Sequence, residues 1–214
     1  MAGTVTAPTP EQIPLHLDRV PGPPPRRPRM LLVAASFAAA GSAAVFAGLL
    51  GVYLSVRTQY VAENDTWIPE GAEIPLSPGN MGMVTLLMSL VTVQWAIHAA
   101  RNRDRAHTYI ALGVTIFVFG LAHVTLIGYL WTQWGLPLNS ADGTTTQAVL
   151  LFTILGLHIA MVAGALLFLT LMTIRSLGGQ FTGRDAEGLS AAALYWYVTV
   201  AVYGVLWYAI LIVK

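Results

Sequence analysis

The sequence predicts an all-α fold, a polytopic bundle of five transmembrane helices. Three observations carry that expectation. Five apolar runs succeed one another, every carboxylate lies outside them, and the arginines gather on alternate connections. A soluble domain of this size carries about 25% charged residues because its surface must meet water. This chain of 214 residues is 56% hydrophobic and 10% charged, with a mean hydropathy of +0.65. Lipid is the solvent that such a surface suits.

Residues 1–29 are rich in Pro and polar groups and end in Pro23-Pro24-Pro25-Arg26-Arg27-Pro28-Arg29. Such a segment buries too little apolar surface to offset its ordering entropy, so it is expected to be a disordered cytoplasmic tail. Its length and prolines do not suit a signal-peptide n-region. The apolar runs are then Met30–Val56, Met81–Ala100, Thr108–Trp131, Gln147–Ile174 and Ala191–Val213. About 20 residues at 1.5 Å each cross the hydrocarbon layer. The first and fourth runs exceed that length, so tilt or overhang is expected. Between the first two runs lie Glu63, Asp65, Glu70 and Glu73, with Trp67 read as an interfacial anchor and Pro69 as a stiff turn. No internal repeat and no linker divides residues 30–214, which are read as one transmembrane domain.

Charge orients the bundle. With the N-terminus inside, the inner segments carry Arg19, Arg26, Arg27, Arg29, Arg101, Arg103, Arg105, Arg175 and Arg184. The outer side keeps Arg57 and Lys214. That positive-inside bias places the N-terminus in the cytoplasm and the C-terminus outside.

Several chemistries are excluded by composition. A formal net charge of +1 offers no concentrated basic face for nucleic acid. The absence of cysteine removes disulfides, thiolate nucleophiles and Cys-ligated metals. With Glu11, Asp18, Glu63, Asp65, Glu70, Glu73, Asp104, Asp142, Asp185 and Glu187 all outside the runs, no intramembrane carboxylate is available to relay protons. Phosphate-loop, Ser-His-Asp and HExxH patterns are likewise missing. The residues that remain are His123 and His158 near mid-membrane, with His98 toward the inner end of the second run. One reading makes His123 and His158 the axial ligands of a b-type haem. The other makes each a neutral imidazole hydrogen-bonded to a neighbouring helix.

Small residues speak to assembly. Ala40, Ala44 and Gly48 recur every fourth residue in the first run, and Gly156, Ala160 and Gly164 do so in the fourth. Such stripes let helix backbones approach in lipid, either within the chain or against another subunit. Tyr195, Trp196, Tyr197, Tyr203, Trp207 and Tyr208 crowd the last run, where Tyr203 is too deep for the interfacial belt and needs a hydrogen-bond partner.

The order of motifs also resembles a known family. The stretch Val45-Phe46-Ala47-Gly48-Leu49-Leu50-Gly51-Val52-Tyr53-Leu54-Ser55-Val56-Arg57, the Trp67/Pro69 loop and Ser89-Leu90-Val91-Thr92 are similar to the start of subunit III of the haem-copper cytochrome c oxidases, in its five-helix bacterial form. Gly128-Tyr129 stands where that family has Glu-Tyr. Gly156-Leu157-His158 resembles its His-Gly-Leu-His signature, and Tyr195-Trp196 resembles the opening of its Tyr-Trp-His-Phe-Val-Asp stretch. The departures are specific. Ser42 replaces a buried glutamate, Gly128 the glutamate of Glu-Tyr, Leu155 a histidine, and Tyr197 and Val200 a histidine and an aspartate.

The resemblance implies a diverged, non-catalytic structural subunit of a bacterial haem-copper terminal oxidase in the cell inner membrane. Such a subunit has no cofactor of its own, and haem and copper are expected in the partner catalytic subunit I. It implies phospholipids held between the first two helices and the remaining three. Ser42, Tyr129, His158 and Trp196 are the polar positions that match the family. The family's proposed help with proton uptake is not implied, because its carboxylates are missing. The alternatives are an accessory subunit of a nitric oxide reductase and a small bis-histidine membrane cytochrome b.

Overall fold

A computed structural model describes residues 29–136, 145–178 and 186–213, so the expected disordered tail falls outside the described residues except for Arg29. Among the described residues there are five helices long and apolar enough to cross a membrane: α1 (Met30–Asn64), α2 (Leu76–Arg101), α3 (Arg105–Gln133), α4 (Thr146–Leu177) and α5 (Glu187–Ile212). The chain is a multi-pass membrane protein. Each helix runs past its apolar core because capping chemistry, not hydropathy, sets where a helix ends. α2 starts behind Pro75 and holds Pro78 in its first turn, where a missing N–H costs nothing. Asp104 caps α3 by accepting the His107 N–H at 3.2 Å, and Thr145 caps α4 by accepting the Ala148 N–H at 3.2 Å.

Helix α5 sits at the centre, packed against α1, α4 and α2, while α3 closes the far side against α2 and α4. Among the described residues the first two helices therefore do not stand apart from the remaining three as a pair. α2 is tied to α3 and α5 instead, because its small and polar face meets both. α1 is the peripheral helix. Its buried residues Ala35, Ala39, Phe46 and Tyr53 form a narrow seam at spacings of four and seven. It runs parallel to α5, with Ser42 meeting Tyr195 toward one end and Arg57 donating to the Val213 carbonyl at the other. That contact explains an arginine on the otherwise arginine-poor side: it caps the carbonyl end of α5.

The loop after α1 corrects a second expectation. Trp67 is 4% exposed, not an anchor in the lipid interface. The loop folds back over α1, and the indole stands edge-on to Tyr53 and Tyr60 at 5.6 and 5.7 Å. The Glu73 N–H reaches the Trp134 carbonyl at 3.1 Å, so the loop also closes the end of α3. There Gly135 adopts φ +63°, and a Cβ at that position would stand 3.0 Å from the Gly71 carbonyl oxygen.

Two segments wind as π-helix, Val114–Gly120 within α3 and Trp207–Ile212 at the end of α5. The Leu121 N–H reaches the Ile116 carbonyl and the Val213 N–H the Tyr208 carbonyl, each five residues back.

Candidate functional site

The polar residues of the bundle converge near mid-membrane, where all five helices contribute. His123 of α3 bonds through Nδ1 to the Gly82 carbonyl of α2 at 3.1 Å. His158 of α4 bonds through Nε2 to the Thr199 carbonyl of α5 at 3.2 Å. The Tyr203 hydroxyl of α5 donates to the Gly79 carbonyl of α2 at 3.1 Å. The three rings pack together: His123 and Tyr203 are 4.5 Å apart between centroids, His158 and Tyr203 5.1 Å, and the two imidazoles 5.6 Å. Phe46 of α1 closes the group edge-on to His158 at 6.0 Å.

A carbonyl can only accept, so these contacts fix the protons. His123 carries its proton on Nδ1 and His158 on Nε2. His123 Nε2 and His158 Nδ1 are then buried lone pairs with no hydrogen-bond partner among the described residues. The cluster contains no carboxylate, and no group of three or more metal-ligating side chains occurs among the described residues. What the arrangement does is bind helices together. Each side chain spends its donor on a main-chain carbonyl of another helix, the means by which polar groups join helices in lipid.

Glycine makes this possible. A Cβ on Gly82 would stand 3.0 Å from the Tyr203 hydroxyl and 3.3 Å from His123 Nδ1. On Gly79 it would stand 2.7 Å from Leu211 Cδ1. The sequence reading missed both glycines and the role of Ser89. The only signal was Tyr203 itself, a hydroxyl too deep to reach water. Toward the arginine-bearing end the stitching continues. Trp196 Nε1 donates to Ser89 Oγ at 2.8 Å, Thr92 and Thr115 hydroxyls meet at 2.7 Å, and the Tyr197 hydroxyl donates to Gln94 Oε1 at 2.8 Å.

The two lone pairs are of the kind a haem iron uses, but the residues do not fit a haem. A macrocycle bound by both imidazoles must lie between them, and here the two rings stand edge to face with Tyr203 against each.

The other singled-out residues are spread over the bundle. Trp196 and His158 are fully buried. The Ser42 hydroxyl bonds the Ala38 carbonyl one turn back at 2.9 Å and lies 3.3 Å from the Tyr195 hydroxyl. Tyr129 is exposed, facing away from the bundle. Ala40, Ala44, Gly48, Ala160 and Gly164 are exposed as well, and Gly156 is half-buried. Nothing comes within 4 Å of a Cβ built on Gly48 or Gly164. Neither stripe is the seam by which this chain packs on itself. Ala44 and Gly48 stand two residues either side of buried Phe46, which is about 160° round the helix. Leu155 and Val200, where the resembled family has ionisable groups, are buried in apolar surroundings. His98 accepts from the Asn102 amide at 2.9 Å and is exposed.

The family described as Cytochrome c oxidase subunit III matches residues 37–213. Among curated proteins, cytochrome c oxidase subunit 3 of Petromyzon marinus is 33% identical over 136 residues, covering 62% of this chain and 49% of that protein. The subunit of Myxine glutinosa is 32% identical over 136 residues, covering 61% and 49%. That of Sus scrofa is 31% identical over 134 residues, with the same coverage of 61% and 49%. The chain spans about half the length of the curated relatives it matches.

Proposed function

The chain belongs to the cytochrome c oxidase subunit III family, and from that premise we propose that it is a non-catalytic structural subunit of a bacterial haem-copper terminal oxidase. In this reading it packs against catalytic subunit I in the cell inner membrane, with its N-terminus cytoplasmic and its C-terminus outside. Haem and copper belong to the catalytic partner, and phospholipids lie against the exposed faces of this chain.

One observation carries the reading: the bundle keeps its polar groups for itself and leaves its small-residue surfaces free. Every buried donor of the central cluster is bonded to a main-chain carbonyl, which suits a scaffold. Ala40, Ala44, Gly48, Ala160 and Gly164 face outward, which suits close approach by another subunit's helices. The packing of Tyr203 against both imidazoles supports the reading without haem over a bis-histidine cytochrome. The family match favours an oxidase over a nitric oxide reductase.

The test is to purify the tagged chain from its native membrane in mild detergent. A haem-copper oxidase catalytic subunit is expected in stoichiometric amount. Recovery with a nitric oxide reductase instead overturns the assignment of complex. Recovery alone with a Soret band that His123→Ala and His158→Ala both abolish overturns the scaffold reading.

A further inference from the structure

We propose that α1 and α5 are locked in axial register by two reciprocal clasps at their ends: Glu187 of α5 holds the first turn of α1, and Arg57 of α1 holds the closing carbonyl of α5. The lock concerns this chain alone and does not depend on the oxidase reading.

Helix α1 needs such a lock. It buries far less of its length than the other four helices. Its narrow seam offers Ala35, Ala39, Phe46 and Tyr53. Lipid tails are as apolar as these side chains, so apolar contact alone gives the helix little preference for one axial position over its neighbours. Polar contacts have to supply that preference.

At its start, α1 has no cap of its own. Arg29 at the N-cap makes no side-chain bond, and the first turn is Met30, Leu31 and Leu32. The free N–H groups of such a turn need an acceptor, the more so beside hydrocarbon. The Leu32 N–H donates to Glu187 Oε1 at 3.4 Å. At that length the bond is weak, and the pull of the carboxylate on the positive end of the helix dipole adds to it. Glu187 also stands in the first turn of α5, so one carboxylate serves the starts of two parallel helices.

At the other end, Arg57 Nη2 donates to the Val213 carbonyl at 3.0 Å, where α5 closes in its π-wound turn. The guanidinium has no carboxylate partner among the described residues, so its charge is left to the negative end of the α5 dipole. The two clasps lie about 25 residues apart along either helix, which is about 38 Å at 1.5 Å per residue. Because the spans match, both clasps close in one register only, and a slip of one turn, about 5.4 Å, opens both. The Ser42 and Tyr195 hydroxyls, 3.3 Å apart, mark that register between them.

The experiment is thiol crosslinking of the full chain in its native membrane, where the absence of natural cysteines keeps the background clean. A short bifunctional thiol reagent should join Ser42→Cys to Tyr195→Cys in the parent register. Glu187→Gln and Arg57→Gln should each lower that yield about two- to fivefold, and Ser42→Cys should then also join Ala191→Cys, one turn away. Arg57→Lys keeps the charge and should retain most of the yield. A second pair, Gln94→Cys with Tyr197→Cys between α2 and α5, should crosslink equally in all variants, because the clasps hold α1 alone. An unchanged Ser42–Tyr195 yield in both charge variants overturns the proposal. So does an equal loss at the Gln94–Tyr197 pair, which would mean that the clasps hold the whole bundle and not the register of α1.

Discussion

Replacing Gly82 by Ala tests whether the central cluster holds the bundle together. The new Cβ would stand 3.0 Å from the Tyr203 hydroxyl and 3.3 Å from His123 Nδ1. Both neighbours are held. Tyr203 is tied to the Gly79 carbonyl at 3.1 Å and His123 to the Gly82 carbonyl at 3.1 Å, so neither moves without lengthening its bond. Overpacking of this kind costs about 1–3 kcal/mol. Removing a glycine from a helix interior returns about 0.5–1 kcal/mol. The expected net loss is about 1 kcal/mol, and about 2 kcal/mol where neither ring yields. Gly48→Ala is the control, because nothing lies within 4 Å of its added methyl, and it should be neutral or slightly stabilising. The assay is equilibrium unfolding of the purified chain in mixed micelles, followed by circular dichroism. If Gly82→Ala is as stable as the parent chain, or if Gly48→Ala loses as much, the carbonyl-stitched cluster is not what fixes these helices.

Other outcomes follow from the same geometry. Tyr203→Phe removes one interhelical bond and should cost about 0.6 kcal/mol in that unfolding assay, the average for such bonds in lipid. Gly48→Leu and Gly164→Leu should leave the isolated chain as stable as the parent but lower its recovery with the proposed catalytic partner, and equal recovery would remove the docking role proposed for the stripes. A cysteine at Ser77 or Asn139, the latter outside the described residues, should label from outside and one at Arg103 from the cytoplasm; the reverse pattern inverts the topology. The His107 N–H and ring hold the Asp104 carboxyl below the usual carboxylate range. Its contribution to stability is therefore complete above the unfolded value of about 3.9 and is lost as pH falls through the lower folded value, so Asp104→Asn should flatten the acid limb of stability against pH.

The sequence made the five helices legible because run length follows from the thickness of the bilayer. Ser42 was legible too: a serine in an apolar helix has few partners except the carbonyl one turn back, and it bonds Ala38. Trp67 was not, since composition reports depth in the membrane but not whether a loop folds back over a helix. The stripes through Gly48 and Gly164 were seen, but a periodic pattern says nothing of which neighbour it faces. The partners of His123, His158 and Tyr203 were the least legible, for a physical reason. They are backbone carbonyls, which every residue possesses, and only the approach permitted by Gly79 and Gly82 distinguishes two of them.

The departures from the resembled family share one direction. Ser42, Gly128, Leu155, Tyr197 and Val200 each stand where that family has an ionisable group, and none of them ionises near neutral pH. A carboxylate in the hydrocarbon layer needs a partner, and removing that partner leaves an uncompensated buried charge. Replacing such groups together avoids that penalty; Ser42 bonds the Ala38 carbonyl and Tyr197 donates to Gln94 Oε1, while Gly128, Leu155 and Val200 carry no polar side chain to satisfy. Ser42 fits the pattern, as its hydroxyl is already bonded to Ala38 and sits beside Tyr195 at 3.3 Å. It has no proton to exchange near neutral pH, so Ser42→Ala should leave oxygen consumption by matched amounts of assembled complex nearly unchanged at every pH tested. Ser42→Leu separates bulk from chemistry: it crowds Tyr195 while Gly41 next to it stays open, and any loss should appear in assembly rather than in turnover per complex. A several-fold drop in rate for Ser42→Ala, growing toward high pH, would mean that this hydroxyl belongs to a proton-supply path to the catalytic partner.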